Sequence, residues 1–413
     1  MKRHFLILAI AMVAVFSAAA QSGSTTLSML GDQPPTDSDL VHNCRHLSLD
    51  VDANGFFLDA EYATPFAKGY SVAGFRLSPT LVYGINERAQ LSVGLNASAF
   101  AGLDSLYRLR PTLSLLYKPT RWLTLVAGTL YGSHTHRLDA PVYDPSRWIF
   151  NYQEDGLQIL TRTNRWYSDT WMDWTHYLTP WTPDQERFTM GTKHTLLIFN
   201  NKMNYIAHDP EEGHIAKSTI RGWEITLPAH FLASHRGGEV KTIDTNTVTT
   251  FNECIGLHAY YLWGNNIQSK YHLLAFDLPF YFYHLEDRTL DHGGNALYPT
   301  VAYEYHRLNP DERRGWSLRA VAGYWHGDHY FSAMGSPQFW SANAYSALHI
   351  PPTTTLAEAT DIRNIVTFSI AYEHQFKGLN LGLQADFYHD MDLGKTDLLV
   401  GFYMRFKERF ILF

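Results

Sequence analysis

The ten residues from Asp397 to Phe406, D-L-L-V-G-F-Y-M-R-F, constrain the fold more than any other stretch of the chain. Leu398, Val400, Phe402, Met404 and Phe406 form an unbroken apolar row at period two. Asp397, Leu399, Gly401, Tyr403 and Arg405 form the other row, which is mostly polar or small. Successive side chains of a strand point to opposite faces, so this pattern asks for an apolar medium on one side and a wetter one on the other. A helix would need a period of about 3.6, which the segment lacks.

The alternation recurs. In 363–376, Val366, Phe368, Ile370, Tyr372 and Phe376 oppose Thr367, Ser369 and Glu373; in 379–389, Leu379, Leu381, Leu383, Ala385 and Phe387 oppose Asn380, Gln384, Asp386 and Tyr388. Candidate strands fall at about 54–63, 71–83, 89–100, 106–117, 121–131, 155–163, 166–178, 186–198, 221–234, 248–262, 269–283, 297–307, 315–326, 363–376, 379–389 and 396–406. Short turns such as Ile85–Arg88, Asn164–Arg165 and Lys377–Gly378 alternate with longer gaps near 132–154, 284–296 and 327–362. The expected fold is therefore all-β: a transmembrane antiparallel up-and-down β-barrel of about 16 strands, with tight turns at one end and long loops at the other. The gap 199–220 falls where a short turn is due, and a hairpin hidden there leaves 14 or 18 strands open. Pro79, Pro111, Pro228 and Pro279 lie inside strands, where each removes a ladder bond, so bulges or strand ends are expected there.

The N-terminus agrees with an exported barrel. Met1-Lys2-Arg3, the apolar run Phe5 to Phe16 and the small residues Ser17 to Ala20 read as a cleaved signal peptide over 1–20. The apolar run is too short for a spanning helix. Residues 21–45, polar and proline-bearing, read as a flexible periplasmic leader, and 46–413 as one outer-membrane barrel domain. Removing Lys2 and Arg3 leaves 31 of the 33 basic residues against 40 acidic ones, a formal charge of −9 that argues against nucleic-acid partners. Aromatics make up 15% of the chain without any later run long enough to span as a helix, which suits a barrel with interfacial girdles. Cys44 and Cys254 are the only cysteines, and their pairing stays open.

Candidate chemistry concentrates between Arg165 and Lys193. Tyr167, Asp169, Trp171, Asp173 and Tyr177 share the face expected to line the lumen, and Arg187 and Lys193 share the inward face of the next strand. Arg108, Arg110, Glu304, Glu373 and Asp386 are further inward candidates, as are Arg76, Arg162, Arg319 and Asp277. Two readings fit: a solute path of aromatic faces flanked by charges, or a charge network that braces a filled lumen. Asp169 and Asp173 lie about 13–14 Å apart along a strand, too far for a retaining glycosidase pair at about 5 Å. His134 and His136, His284 and His292, and His326 and His329 are placed in outer loops without metal-ligand company, so neither a metal nor a cofactor is expected.

The export signal, the alternating strands and the aromatic C-terminal strand resemble the outer-membrane β-barrel proteins of Gram-negative bacteria, porin-like in size and of Bacteroidetes style. The resemblance implies an outer-membrane location, contact with membrane lipid and lipopolysaccharide, and delivery by the barrel-assembly machinery. Val400, Phe402, Met404, Phe406 and Phe413 would carry the assembly signal, with residues 407–413 as a bulged continuation or a short tail. It also implies a channel for small hydrophilic solutes as the leading function. A filled barrel serving as a subunit of a membrane complex, through a protein partner or oligomer, is the first alternative. A surface enzyme acting on lipid or glycan is the second. Outer-membrane phospholipases and lipid A deacylases are similar barrels with a Ser/His pair, and Trp174-Thr175-His176-Tyr177 lacks the serine.

Overall fold

The computed structural model describes residues 27–413 except 33, 177–184, 209–214, 238–247, 266–269, 288–290, 310–313 and 342–360. The strand segments are β1 (Leu47–Glu61), β2 (Tyr70–Asn86), β3 (Ala89–Phe100), β4 (Arg108–Thr120), β5 (Leu123–Thr129), β6 (Asp155–Arg162), β7 (Trp166–His176), β8 (Arg187–Asn200), β9 (Met203–His208), β10 (Ile215–Arg236), β11 (Val248–Asn265), β12 (Lys270–Asp287), β13 (Asp291–Leu297), β14 (Thr300–Asn309), β15 (Arg314–Asp328), β16 (Ile362–Phe376), β17 (Leu379–Asp390) and β18 (Lys395–Ile411). β8 and β9 lie end to end along β10, and β13 and β14 lie end to end between β12 and β15. The segments therefore make 16 antiparallel staves, and pairing of β1 with β18 closes the cylinder.

Each stave falls on one of the sixteen candidate strands, but several connections differ from expectation. No extra hairpin occupies the described part of 199–220: β9 runs to His208 and β10 starts at Ile215, so two long staves fill the gap. The expected long loop at 284–296 is a short connection, because β12 reaches Asp287 and β13 begins at Asp291. β18 continues to Ile411 in unbroken register with β1, without bulge or tail at Phe406. Lys407 and Arg409 continue the lumenal row of Arg405 and are held by acids of that side, Asp32 at 2.5 Å and Asp50 at 2.6 Å. Pro111 and Pro279 sit within continuous pairings, opposite Leu95 and Gly256, and a register shift appears near Pro228, between Ile225 and Thr226.

The outer wall is apolar. Leu157, Leu109, Phe75 and Ile255 expose 56–62% of their surface. Such a belt would be costly in water and is at home against acyl chains. Toward the end that carries the termini, Trp223, Tyr261, Trp263, His272, Tyr303, Tyr305 and Trp316 stack or tilt against one another across neighbouring staves. This is the aromatic girdle of a membrane interface.

Two inserts pack inside the lumen. A 16-stave cylinder is wide enough for an aqueous channel unless something fills it. Here the 25-residue connection between β5 and β6 (130–154) and residues 329–341 after β15 fold inward. They dock on each other: Asp144 N donates to the Met334 carbonyl at 2.7 Å, Ser336 N to Ala140 at 2.9 Å, and Ser332 Oγ to Val142 at 2.9 Å. Tyr330, Phe331 and Phe339 are fully buried against the wall residues Tyr281, Trp325 and Ile365. Each such side chain contributes roughly 1.5–3 kcal/mol by leaving water. Part of the 21–45 stretch, expected as a flexible leader, also lies inside. Leu27 and Leu30 are buried with Phe56, Leu58, Trp148 and Tyr403. The Arg405 guanidinium explains the capture, donating to the Met29 carbonyl at 2.9 Å and to Asp32 at 2.6 Å.

Candidate functional site

The lumenal residues singled out in the sequence meet the first insert, not open water. Trp171 is buried and stacks on His136 with ring centroids 3.6 Å apart and planes 8° from parallel. Gly191, its neighbour on β8, makes room: a Cβ there would stand 2.4 Å from the indole. Asp169 Oδ2 lies 2.9 Å from His136 Nδ1, and Glu154 Oε2 lies 2.7 Å from Nε2. Gln158 donates to Asp169 Oδ1 at 2.9 Å, and the Tyr143 hydroxyl donates to Glu154. One imidazole thus bridges two buried carboxylates, one on the wall and one on the insert.

Burial works against a charged His136, but the Glu154 and Asp169 carboxylates outweigh it and push the ring up to about 10. His136 is therefore an imidazolium at neutral pH. Because its folded value is raised, the stabilisation is complete below its ordinary value of 6.5, declines above it and is gone once pH passes about 10. Protease nicking of residues 130–154 in detergent should accelerate across that window. A His136→Gln protein, which lacks the imidazolium between Glu154 and Asp169, should lose the rise across that window, and an equally steep one would contradict the clasp.

The other predicted positions are also engaged. Asp173 Oδ1 accepts from Asp155 N at 2.9 Å, and Arg110 is paired with Asp155. Arg108 reaches Asn151 at 3.4 Å, and Lys193 donates to the Arg137 carbonyl of the insert. Tyr167 lies under the Arg162 guanidinium at 5.6 Å. Glu304 binds Arg319 and His306, each at 3.0 Å. Asp386 accepts from Ser369 and, at 2.7 Å, from Gln384. Glu373 is half-buried opposite Ser317 and Gly382, and Arg187 is exposed opposite His176. Tyr177 lies outside the described residues. Val400, Phe402 and Met404 face outward on β18; Phe406 is half-buried, and Phe413 lies beyond the strand end. Cys44 and Cys254 are unpaired.

The histidines depart most from expectation. His136 is buried rather than loop-exposed, and His284 and His326 lie on strands β12 and β15. His326 belongs to a polar cluster on the outside of the barrel, at the rim opposite the termini. Its neighbours Trp325 and Ile365 point inward and are buried, whereas Tyr324, Val366 and Ile362 are 40–46% exposed on the same face as His326. His326 Nδ1 lies 2.8 Å from Asn364 Oδ1, which also accepts the Tyr324 hydroxyl at 2.6 Å. Asn364 is fixed by Asp392, which accepts from its backbone N at 2.7 Å and its side-chain amide at 3.1 Å. One stave on, His389 Nδ1 meets Thr396 Oγ1 at 2.9 Å. An imidazole oriented through one nitrogen, with the other directed away, is the arrangement of a general base with its orienter. Similar Thr–His contacts, His235 with Thr249 at 2.9 Å and Thr192 with His194 at 3.1 Å, recur elsewhere. The Asn–Asp support distinguishes His326 from those pairs.

Sequence reasoning missed this cluster because its members come from β15, β16 and the β17–β18 turn. It missed the His136 clasp although a signal was present: Leu138, Val142, Tyr143, Trp148, Ile149 and Phe150 make 130–154 too apolar for a solvated loop.

Among solved structures, the barrel is similar to an OmpT loop-deletion mutant of Vibrio cholerae (9% identity, TM-score 0.45, 88% of this chain and 99% of that one). It is also similar to OprB of Pseudomonas putida (9%, 0.45, 88% and 94%) and OprD of Pseudomonas aeruginosa (9%, 0.37, 89% and 94%). No curated relative matches the sequence. The profile of the family described as lipid A 3'-O-deacylase-type matches residues 37–413, which spans every stave of the barrel and both inserts. The chain belongs to the lipid A 3'-O-deacylase-type family.

Proposed function

We propose that the protein is a surface hydrolase that removes an ester-linked acyl chain from a lipid A-like glycolipid of lipopolysaccharide, working on the lipid-facing wall at the rim opposite the termini. The observation that carries this reading is the packed lumen: the inserts occupy the space a conduit would need, which leaves the outer wall as the working surface. Membership of the lipid A 3'-O-deacylase-type family supports this substrate class. The channel expected from the sequence is the weaker reading for the same reason.

His326 is the base. Its Nδ1 is engaged by Asn364, so Nε2 is the nitrogen available to a water. As the water oxygen attacks the ester carbonyl, its proton passes to His326. The bond from the acyl carbon to the sugar oxygen then breaks, and that oxygen takes the proton back. Products are a free fatty acid and a sugar hydroxyl.

The test is mass spectrometry of lipid A in mixed micelles with the detergent-folded barrel. Loss of one acyl chain, with the fatty acid recovered, is the expected result. A correctly folded barrel that leaves lipid A intact would overturn the reading.

A further inference from the structure

A second cluster lies within the lumen, apart from both the rim and the His136 clasp. Asp139 comes from the first insert, His230 from β10 and Cys254 from β11, and all three are buried. Their ligand-type atoms lie within 4.8 Å of one another. Neither ring nitrogen of His230 has a hydrogen-bond partner, although the side chain is wholly buried, and the nearer approach to Asp139 is 3.8 Å. A buried imidazole with both nitrogens unsatisfied is costly unless something else occupies the space between the groups.

We propose that Asp139, His230 and Cys254 bind one thiophilic divalent cation of the zinc type, which clips the first insert to the barrel wall. The donor set is one sulfur, one nitrogen and one oxygen, the mixture that suits a borderline-soft ion in tetrahedral coordination and leaves one position open. A thiolate and a carboxylate together neutralise a divalent ion, and the imidazole adds a neutral donor. Tyr281 donates to Asp139 Oδ2 at 2.9 Å and would orient the carboxylate as an outer-shell partner. Lys193 also faces the cluster, but its ammonium donates to the Arg137 carbonyl. Binding displaces the Cys254 thiol proton to solvent, so one proton is released by that thiol for each ion bound. The site does not depend on the hydrolase reading, and its test does not use activity.

The experiment is a Co2+ titration of the detergent-folded barrel carrying Cys44→Ser, which leaves Cys254 as the only thiol. A sulfur-to-cobalt charge-transfer band that saturates at one ion per barrel and is displaced by Zn2+ is the expected result. Adding His230→Ala should weaken binding by more than the roughly 10–100-fold that an outer-shell change costs. Absence of the band in the folded Cys44→Ser protein overturns the proposal, even if core variants fail to fold.

Discussion

Replacing His136 by leucine is expected to destabilise the barrel by about 3–5 kcal/mol, the range seen when one partner of a buried ion pair is removed. The imidazolium touches Asp169 at 2.9 Å and Glu154 at 2.7 Å, and all three side chains are essentially without solvent. Leucine fills similar volume but leaves two carboxylates facing each other across a dry gap. Gln158 and Tyr143 still donate to them, so the outer hydrogen bonds survive and the loss reports the missing charge. His136→Gln should cost less, because an amide can still donate to one acid. Thermal unfolding in detergent, followed by tryptophan fluorescence through the Trp171 stack, reads the effect. A leucine variant as stable as the parent would mean that the clasp does not hold the insert.

His326→Ala is expected to lower acyl release from lipid A by about 10²–10⁴-fold, the usual contribution of a positioned base. The side chain is exposed on the outer wall, so fold and heat-modified migration should be unchanged. Asn364→Ala acts only through the histidine. It should lower the rate less, in kcat rather than KM, because the ring loses its orienting acceptor. An unchanged rate in His326→Ala would assign the base elsewhere on the rim, with the His389–Thr396 pair the next to examine.

The barrel was legible because lipid outside and water or packing inside impose a two-residue period, which is plain in staves such as β11, β16 and β18. Facing was legible too: Asp169, Trp171 and Asp173 are buried where the alternation puts them, and Leu398, Val400, Phe402 and Met404 share the outer face. What fills the lumen was not legible. Inserts carry no period, and their partners are remote in sequence: Asp139 meets Tyr281, and Arg405 meets Asp32. Residues 407–413 read as a bulge or a tail because the outer row was followed, and Lys407 and Arg409 do not extend that row. They continue the inner row, where Asp32 and Asp50 await them. The rim cluster was hidden for a related reason: His326 gains its meaning from Asn364, 38 residues away on the next stave.

Ion current through the folded protein in a planar lipid bilayer tests most directly the claim that this barrel is packed and works at its surface. The account predicts incorporation without steady ohmic steps at neutral pH, because 130–154 and 329–341 occupy the lumen and are clasped to its wall. Stable single-channel steps of the size expected from an open 16-stave cylinder, in protein whose fold is intact, would contradict it.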